Sequence, residues 1–202
     1  MQMTEIADLN SGTPQFRIKE SLDVDAPVYF FYGQPEMEDD LTGVETHSSS
    51  NSSSGGNSIS SGRKQIRTFD TVDTLKCGDL AFSLISGKAT IIRDSHNGYL
   101  FTQNYVKVAP TPTIDTRYLV YMLNENTDIK RQLQTGQQGS VTLKFTIRQL
   151  SDLIFPIPPP IEKQRVIGEL YFNQIKLAAL KKRVAASEAK LIIGKLKEAC
   201  KT

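Results

Sequence analysis

A proline-rich segment followed by a long proline-free stretch constrains this chain more than any other sequence feature. Four prolines fall within five residues, namely Pro156, Pro158, Pro159 and Pro160, and none follows them. Proline stiffens the backbone and can open a helix but not lie inside one. The pattern therefore predicts a hinge that sets the exit angle of a continuous helix from Ile161 to about Ala199, about 60 Å long at 1.5 Å per residue.

This helical stretch carries an apolar stripe with a seven-residue repeat, which is typical of helices that pack along one another. The stripe consists of Leu170, Leu177, Val184 and Leu191, with Leu180 on the adjoining seam. The equivalent positions of this second seam, one or two heptads from Leu180, are Asn173, Ser187 and Gly194. We therefore expect docking in a defined register or against a larger partner, rather than a strong autonomous zipper. Because one chain holds one such helix, the stripe predicts a homodimer.

The residues before the helix predict one domain with short strands. β-branched and aromatic runs between turn residues indicate strands at Ala26–Tyr32, Leu80–Ile85, Ala89–Ile92 and Tyr105–Val108, with a further signal at 68–72. Asn97-Gly98 predicts a hairpin, because both residues tolerate positive φ. A helix is expected from Asp115, which can cap it, to Leu133, and a helical turn near Ile147–Leu150. The predicted fold is α+β: a β-rich recognition domain at 1–160 and a long coiled-coil-type helix at 161–202.

Composition and charge separate the chain into unlike parts. Residues 48–62 contain only Ser, Gly and Asn apart from Ile59, which predicts a mobile loop, and Glu36–Asp40 is expected to be an acidic surface stretch. Residues 1–62 have 2 basic and 10 acidic residues, a net charge of −8, whereas 63–160 and 161–202 carry +4 and +6. This asymmetry permits a basic face for a polyanion, although a solvated mixed surface explains it equally well.

The remaining composition points to an ordinary globular protein. With 202 residues, 39% of them hydrophobic, one domain plus an appendage is the natural size. Cys77 and Cys200 fit neither a disulfide framework nor a metal-ligand pattern, which suggests a reducing compartment. The start of the chain lacks the features of a signal peptide, and no apolar run is long enough for a spanning helix. We therefore expect a cytoplasmic protein without membrane contact.

Enzyme motifs are nearly absent. The sequence has no phosphate-binding G-x-x-x-x-G-K-[ST] loop and no G-x-G-x-x-G fingerprint. His47 and His96 have no Cys or carboxylate at ligand spacing, so both are expected to be surface histidines and no metal site is predicted. Glu188-Ala189-Lys190 matches a nuclease E-x-K fragment, but such triplets arise constantly in charged helices. No residue qualifies as catalytic.

Two polar loops carry side chains suited to DNA. Arg63, Lys64 and Arg67 follow the Ser/Gly-rich segment, and a second group consists of Gln137, Gln138, Ser140 and Lys144. Arginine and glutamine can pair with base edges in the major groove, while lysine and serine can bind phosphate. Ordinary solvated loop polarity is the competing interpretation of each residue, and the clustering favours DNA contact for the loops as groups.

A family resemblance runs through nearly the whole chain. The stretch from Leu153 to Ile167, with its prolines followed by Gln164, resembles the junction of type I restriction-modification DNA specificity (S) subunits. Three shorter elements are also similar to that family: Ser11–Pro14, Lys76–Leu80 and Thr102–Asn104. The stretch from Thr142 to Leu150 resembles the element before the junction. Family members commonly hold two recognition domains and two helices, so this chain resembles a half-length form.

The resemblance implies a function and a set of partners. We expect a sequence-specific subunit that binds double-stranded DNA and directs a partner methyltransferase and a restriction subunit to half of a bipartite site. The chain would need no cofactor, because S-adenosylmethionine would be used by the methyltransferase. The alternative is a stand-alone DNA-binding adaptor or regulator without modification enzymes, and a nuclease is a distant third.

Overall fold

The computed structural model describes residues 1–45, 63–135 and 144–200. The predicted loop 48–62 and three candidate DNA contacts, Gln137, Gln138 and Ser140, lie outside these residues. The elements within them are, in chain order, α1 Met3–Ile6, β1 Ala7–Ser11, β2 Val28–Phe30, α2 Gln34–Thr42, β3 Gln65–Arg67, β4 Leu80–Ser83, β5 Ala89–Ile91, β6 Tyr105–Pro110, α3 Thr116–Glu125, α4 Thr127–Thr135, α5 Ile147–Ser151 and α6 Ile161–Ala199.

A four-stranded antiparallel sheet lies at the centre of the domain, in the strand order β1-β6-β4-β5. All four residues of β4 are buried, so this strand is covered on both faces. Leu80 and Phe82 join one hydrophobic core, whereas Ala81 between them joins a second. This alternation follows the two-residue period of a strand. β2 and β3 pair separately as a second antiparallel sheet.

The two cores differ in composition. The first is mainly aliphatic and is closed by α3, α4 and the segment around α5, which contribute Leu119, Leu123, Ile129 and Leu150. The second is mainly aromatic and contains Tyr32, Tyr99, Phe101 and Tyr105. Edge-to-face contacts join its rings, and the centroids of Tyr32 and Tyr105 are 5.3 Å apart. The sheet therefore separates a helical layer from an aromatic layer.

The α+β class is confirmed, but two predictions about the strands are wrong. Residues 68–72 form no strand; the Thr68 hydroxyl instead accepts a hydrogen bond from the Asp70 backbone N–H. Asn97 and Gly98 form a turn, with Gly98 at φ 82°, yet this turn does not connect paired strands. β5 pairs with β4, which lies between β5 and β6, so no hairpin forms there. A turn signal specifies local backbone only, not which strands meet.

The helix expected from Asp115 to Leu133 is two helices. Asp115 caps α3 as predicted, and its carboxylate accepts the Tyr118 N–H at 3.0 Å. Asn126 then interrupts the helix, because its side-chain oxygen accepts the N–H groups of Asp128 and Ile129. Such a bond satisfies the donors at a helix start. The chain thus begins a new helix, α4, within an apolar pattern that looked continuous.

The acidic stretch Glu36–Asp40 lies in α2 and is only partly at the surface, where Glu38 is exposed. Gly33 precedes this helix, and the Glu36 carboxylate accepts the Gly33 N–H at 3.0 Å, which stabilises its start. Met37 is buried in the aromatic core, and Asp39 and Asp40 are buried too. The surface prediction failed for Asp39 and Asp40 because it used composition alone. Composition does not show which distant residues would stabilise a buried carboxylate.

The long helix is confirmed, since α6 runs from Ile161 to Ala199. Its first turns pack on α3 and belong to the domain core through Ile167, Tyr171 and Phe172. Gly168 permits this approach, because a Cβ there would lie 2.6 Å from the Arg117 Cβ and 2.7 Å from the Tyr118 backbone nitrogen. The division of the chain at residue 160 stays a prediction.

Gln164 fixes α6 to the domain by three hydrogen bonds. It is 1% exposed, and its amide nitrogen donates to the carbonyls of Thr113 and Pro159 at 3.1 and 2.8 Å. Its oxygen accepts the Asp115 N–H at 2.9 Å. These bonds join the proline segment, the start of α3 and the first turn of α6. Gln164 and Gly168 thus fix how the helix leaves the domain, and the predicted hinge role of the prolines stays a prediction.

Replacing Gln164 with leucine is expected to lower the free energy of unfolding by about 1–3 kcal/mol. Leucine matches the volume but leaves the Asp115 N–H and two carbonyls without their partner, and only the exposed Thr113 can turn to water. Urea unfolding of Gln164→Leu would measure the loss. Gln174→Leu, an exposed position on the same helix, is the control and should change stability little. Equal effects of the two substitutions would contradict this role.

Candidate nucleic-acid interface

A cleft of about 590 Å³ opens between the second sheet, the start of α2 and the end of the 101–105 segment. We call it the basic cleft, because Arg63 and Lys64 line it together with polar side chains. Its lining residues are Gln15, Phe31, Tyr32, Gly33, Gln34, Pro35, Glu36, Arg63, Lys64, Ile85, Thr102, Asn104 and Tyr105. The carboxylate in this lining, Glu36, is already bonded to the Gly33 N–H.

Arg63 and Lys64 are held in place by aromatic side chains. One Arg63 guanidinium N–H donates to the Tyr99 hydroxyl at 3.0 Å, and Tyr99 itself stacks on Phe30 with centroids 5.6 Å apart. The Lys64 Nζ lies 4.8 Å from the centroid of the Phe31 ring, a cation–π distance. Arg63 keeps four other N–H donors, and Lys64 is exposed. Both cations are therefore oriented while remaining able to bind an anion.

Lys144 reaches the same cleft from another part of the chain. Its Nζ lies 3.4 Å from the side-chain oxygen of Asn104, a residue of the cleft lining. The next residue, Phe145, fixes this position, since its N–H donates to the Leu84 carbonyl at 2.8 Å. The fold thus brings together Arg63, Lys64 and Lys144, which are about 80 residues apart in the sequence.

Arg67 lies apart from this group. It is the last residue of β3, and its guanidinium donates to the Val24 carbonyl at 2.9 Å. Its backbone carbonyl accepts the Ser21 N–H. Arg67 therefore holds the turn before β2 and is not among the residues that line the basic cleft. Whether it touches DNA stays a prediction, as it does for Gln137, Gln138 and Ser140.

Three polar residues of the cleft were not among the candidates from the sequence. Gln15, Thr102 and Asn104 place amide and hydroxyl groups beside the two cations. Thr102 and Asn104 belong to the Thr102–Asn104 element, which the sequence marked only as a family resemblance. Amides can pair with base edges, so this lining can supply hydrogen bonds that the basic residues alone cannot.

A buried carboxylate, Asp40, is bonded to one residue of the cleft lining, Tyr32. Asp40 is fully buried and accepts hydrogen bonds from the Tyr32 hydroxyl at 2.9 Å and the Arg93 N–H at 3.1 Å, and it lies 2.8 Å from His96 Nδ1. The Arg93 Nε donates to the Asp40 carbonyl. His96 is 1% exposed, so its prediction as a surface histidine is wrong. Burial, and then the charge of Asp40, raises the pKa of Tyr32 well above its usual value.

The predicted apolar stripe on α6 is exposed. Leu170, Leu177, Val184 and Leu191 are between 45% and 64% exposed, and Leu180 is half-buried. At about 100° per residue, these side chains lie on the side of the helix opposite Gln164 and Gly168, which face the domain. Val166, 56% exposed, continues the stripe and was missed by the sequence analysis because it lies one turn before the repeat begins.

The comparison with protein families identifies the chain. The model of the family described as "Type I restriction modification DNA specificity domain" matches residues 15–187. The chain belongs to this family. The match runs from the turn beside the basic cleft, through the proline junction, and into the exposed part of α6. It confirms the resemblance inferred from the junction and the three shorter elements. No curated protein matches the chain.

Solved structures share this specificity-domain fold. The HsdS subunit from Thermoanaerobacter tengcongensis matches over 95% of this chain with 18% identity and a TM-score of 0.56. A chain from a study of complex assembly and conformational transition of the type I R-M system matches over 95% with 19% identity and a TM-score of 0.57. The specificity-domain chain spans only 41% and 42% of these two chains.

Two other findings concern the described part of this specificity domain. No helix within 1–45, 63–135 and 144–200 is long and apolar enough to cross a membrane. Among the same residues, no three His, Cys, Asp or Glu side chains come together as metal ligands. His47, the other histidine considered from the sequence, lies outside them.

Alkaline pH is expected to destabilise this specificity domain through Tyr105. Burial, and then the charge of Glu36, raises the pKa of Tyr105 to about 12, whereas an unfolded tyrosine has a pKa of about 10. Between these values the unfolded chain releases a proton that the folded chain keeps, so stability is lost as pH rises. From pH 9 to 11 this costs about 1 kcal/mol.

Urea unfolding of the wild type and of Tyr105→Phe at pH 9 and pH 11 would test this expectation. The variant has no phenol at this position, so it should lose about 1 kcal/mol less than the wild type across the interval. Tyr32 remains in both proteins, and most of its contribution cancels, because burial and Asp40 raise its pKa more than Tyr105 does. An equal loss in the two proteins would show that Tyr105 does not carry the effect.

Proposed function

We propose that this chain recognises a specific sequence in double-stranded DNA and that the basic cleft contacts that DNA. The observation that supports this function best is the convergence of Arg63, Lys64 and Lys144 in a member of the DNA specificity-domain family. Neutral amides lie among these cations, so the same surface offers charge for phosphates and hydrogen bonds for base edges.

Within this proposal the chain supplies recognition and no chemistry. A partner methyltransferase, using S-adenosylmethionine, and a restriction subunit would act on the DNA that this chain selects. The absence of an enzyme motif in the sequence supports this division, as does the family to which the chain belongs. Co-expression with a methyltransferase of a type I system, followed by mapping of methylated adenines, would test it. Sequence-specific DNA binding together with no methylated adenines in that co-expression would favour the stand-alone adaptor.

We further propose that two copies associate through α6. Six large apolar residues of the stripe are solvent-accessible: Val166, Leu170, Leu177, Leu180, Val184 and Leu191. An antiparallel pair that aligns Leu177 with Leu180 of the partner subunit buries all six. In that register the remaining layers are Val166 with Leu191, Leu170 with Ser187 and Val184 with Asn173. The polar residues of the second seam thus face large apolar ones, which explains why they do not prevent packing.

Removing cations from the basic cleft should weaken DNA binding in a salt-dependent way. Lys64→Ala or Lys144→Ala, if each removes one phosphate contact, should reduce the slope of log K against log salt by about 0.9. The preference for a duplex selected from a random pool over its scrambled version should remain. Lys130→Ala is the control, because Lys130 lies on α4 and pairs with Glu125. A slope as steep as that of the wild type in both cleft variants would count against this interface.

Charge placed on the stripe should dissociate the dimer. Light scattering at tens of micromolar should give the wild type about twice the chain mass of 22.5 kDa, and Leu177→Lys a single chain mass, because two buried lysines would face the centre of the pair. Ala189→Lys adds the same charge on the opposite side of α6 and should leave the dimer intact. A monomeric wild type, or a dimeric Leu177→Lys variant, would refute pairing through this stripe.

A further inference from the structure

Phe16 is an aromatic residue exposed in an unusual setting. It is 79% exposed and lies in the middle of a single 3-10 turn, Gln15–Arg17. Leaving a phenylalanine ring in water gives up much of the roughly 1.5–3 kcal/mol that its burial would contribute. The ring belongs to neither the aliphatic nor the aromatic core, nor to a third cluster formed by Ile18, Phe31 and Leu100. Packing within the domain therefore does not explain it.

The turn that carries Phe16 is fixed to the central sheet. The Gly12 N–H donates to the Tyr105 carbonyl, and a Cβ at Gly12 would lie 2.4 Å from the Phe101 carbonyl oxygen. Thr13 pairs with Thr102, and its hydroxyl donates to the Asp73 carboxylate at 2.7 Å. The Arg17 N–H then closes the turn on the Pro14 carbonyl. The ring is thus presented by a braced backbone rather than by a free loop.

The surroundings of Phe16 border the basic cleft and hold two cations, Arg17 and Lys19. The two carboxylates there, Asp70 and Asp73, already accept hydrogen bonds from the Lys19 N–H and the Thr13 hydroxyl. Gln15, the preceding residue, lines the cleft together with Arg63 and Lys64. The Arg17 guanidinium carbon lies 5.7 Å from the centroid of the Phe16 ring, and Lys19 follows two residues later. A cation–π contact of this kind keeps the guanidinium beside the ring.

A second exposed apolar site shows the contrast. Leu22 and Val24 are also highly exposed, but they lie on a turn that carries Asp23 and Asp25 and follows Glu20. Those carboxylates would repel a phosphate backbone, so that turn does not suit DNA. Phe16 differs because its charged neighbours in the chain are Arg17 and Lys19.

We propose that Phe16 stacks on, or wedges between, bases of the DNA duplex that the basic cleft binds. This inference rests on the proposed function and names the group that would contact the bases. An apolar side chain inserted at a base step unstacks it and bends the duplex, and stacking between a base and an aromatic ring is favourable for every base. Arg17, held beside the ring, would reach the adjacent phosphate. The polar residues of the cleft would then read base edges next to the distorted step.

The chain contains no tryptophan, which permits a direct test. Phe16→Trp places the only tryptophan at the proposed stacking position, where it can be excited selectively over the seven tyrosines. Its emission should fall at least about twofold when a base stacks on it. The probe is a 30-base-pair duplex selected from a random pool by the wild-type chain. Phe69→Trp is the matched control, since Phe69 is 64% exposed but does not line the cleft. Its emission should change little.

Affinity gives a second and independent measurement. Phe16→Ala should weaken binding to the selected duplex by at least about fivefold, whereas Phe69→Ala should bind as the wild type does. Both positions are exposed, and thermal unfolding would confirm that the variants fold. Unchanged emission of Phe16→Trp, or unchanged affinity of Phe16→Ala, would overturn the stacking role alone. If the wild type enriches no sequence from the pool, the proposed function fails, and this inference fails with it.

Discussion

The close contact between α3 and α6 is the constraint on which the remaining structure depends. The two helices approach at Gly168, where any side chain would meet the backbone of Tyr118, and Gln164 satisfies three backbone groups beside it. Through this contact the long helix becomes part of the domain core. It also determines which side of α6 remains free, because the exposed stripe lies opposite the packed face. The orientation of the domain and the direction in which the exposed stripe faces are therefore coupled through two residues.

The sequence predicted the features that depend on neighbouring residues. The extent of α6 follows from the prolines before it, and the Asp115 cap follows from residue type and position. The buried environments of Asp40 and His96 could not be predicted in this way. Asp40 is stable in the interior because Arg93 and His96, more than 50 residues away, approach it. Such partners come together only in the three-dimensional fold. An acidic run in the sequence is the same whether or not the fold supplies partners that allow its burial.

The candidate site shows the same division. Lys64 and Lys144 were proposed as DNA contacts from two separate loops, and the fold places both beside Asn104. Arg67 belongs to the same basic cluster in the sequence as Lys64, yet its guanidinium bonds the Val24 carbonyl. Arg63 and Lys64 lie just before β3 and line the cleft, whereas Arg67 is the last residue of that strand. Clustering in the sequence therefore pointed to residues that the fold brings to one cleft, while the direction of each side chain required the structure.

The hydrogen bonds that fix the chain on either side of residues 46–62 have an evolutionary consequence. Asp40 anchors α2 on one flank, and on the other Phe31 donates its N–H to the Lys64 carbonyl while Arg63 bonds Tyr99. These hydrogen bonds all join residues outside 46–62. Closing a connection of twice the length costs only about 0.6 kcal/mol more. A longer or shorter connection between Glu45 and Arg63 is thus compatible with these anchors, so the sequence of this connection can diverge between relatives while the described scaffold on both flanks stays the same.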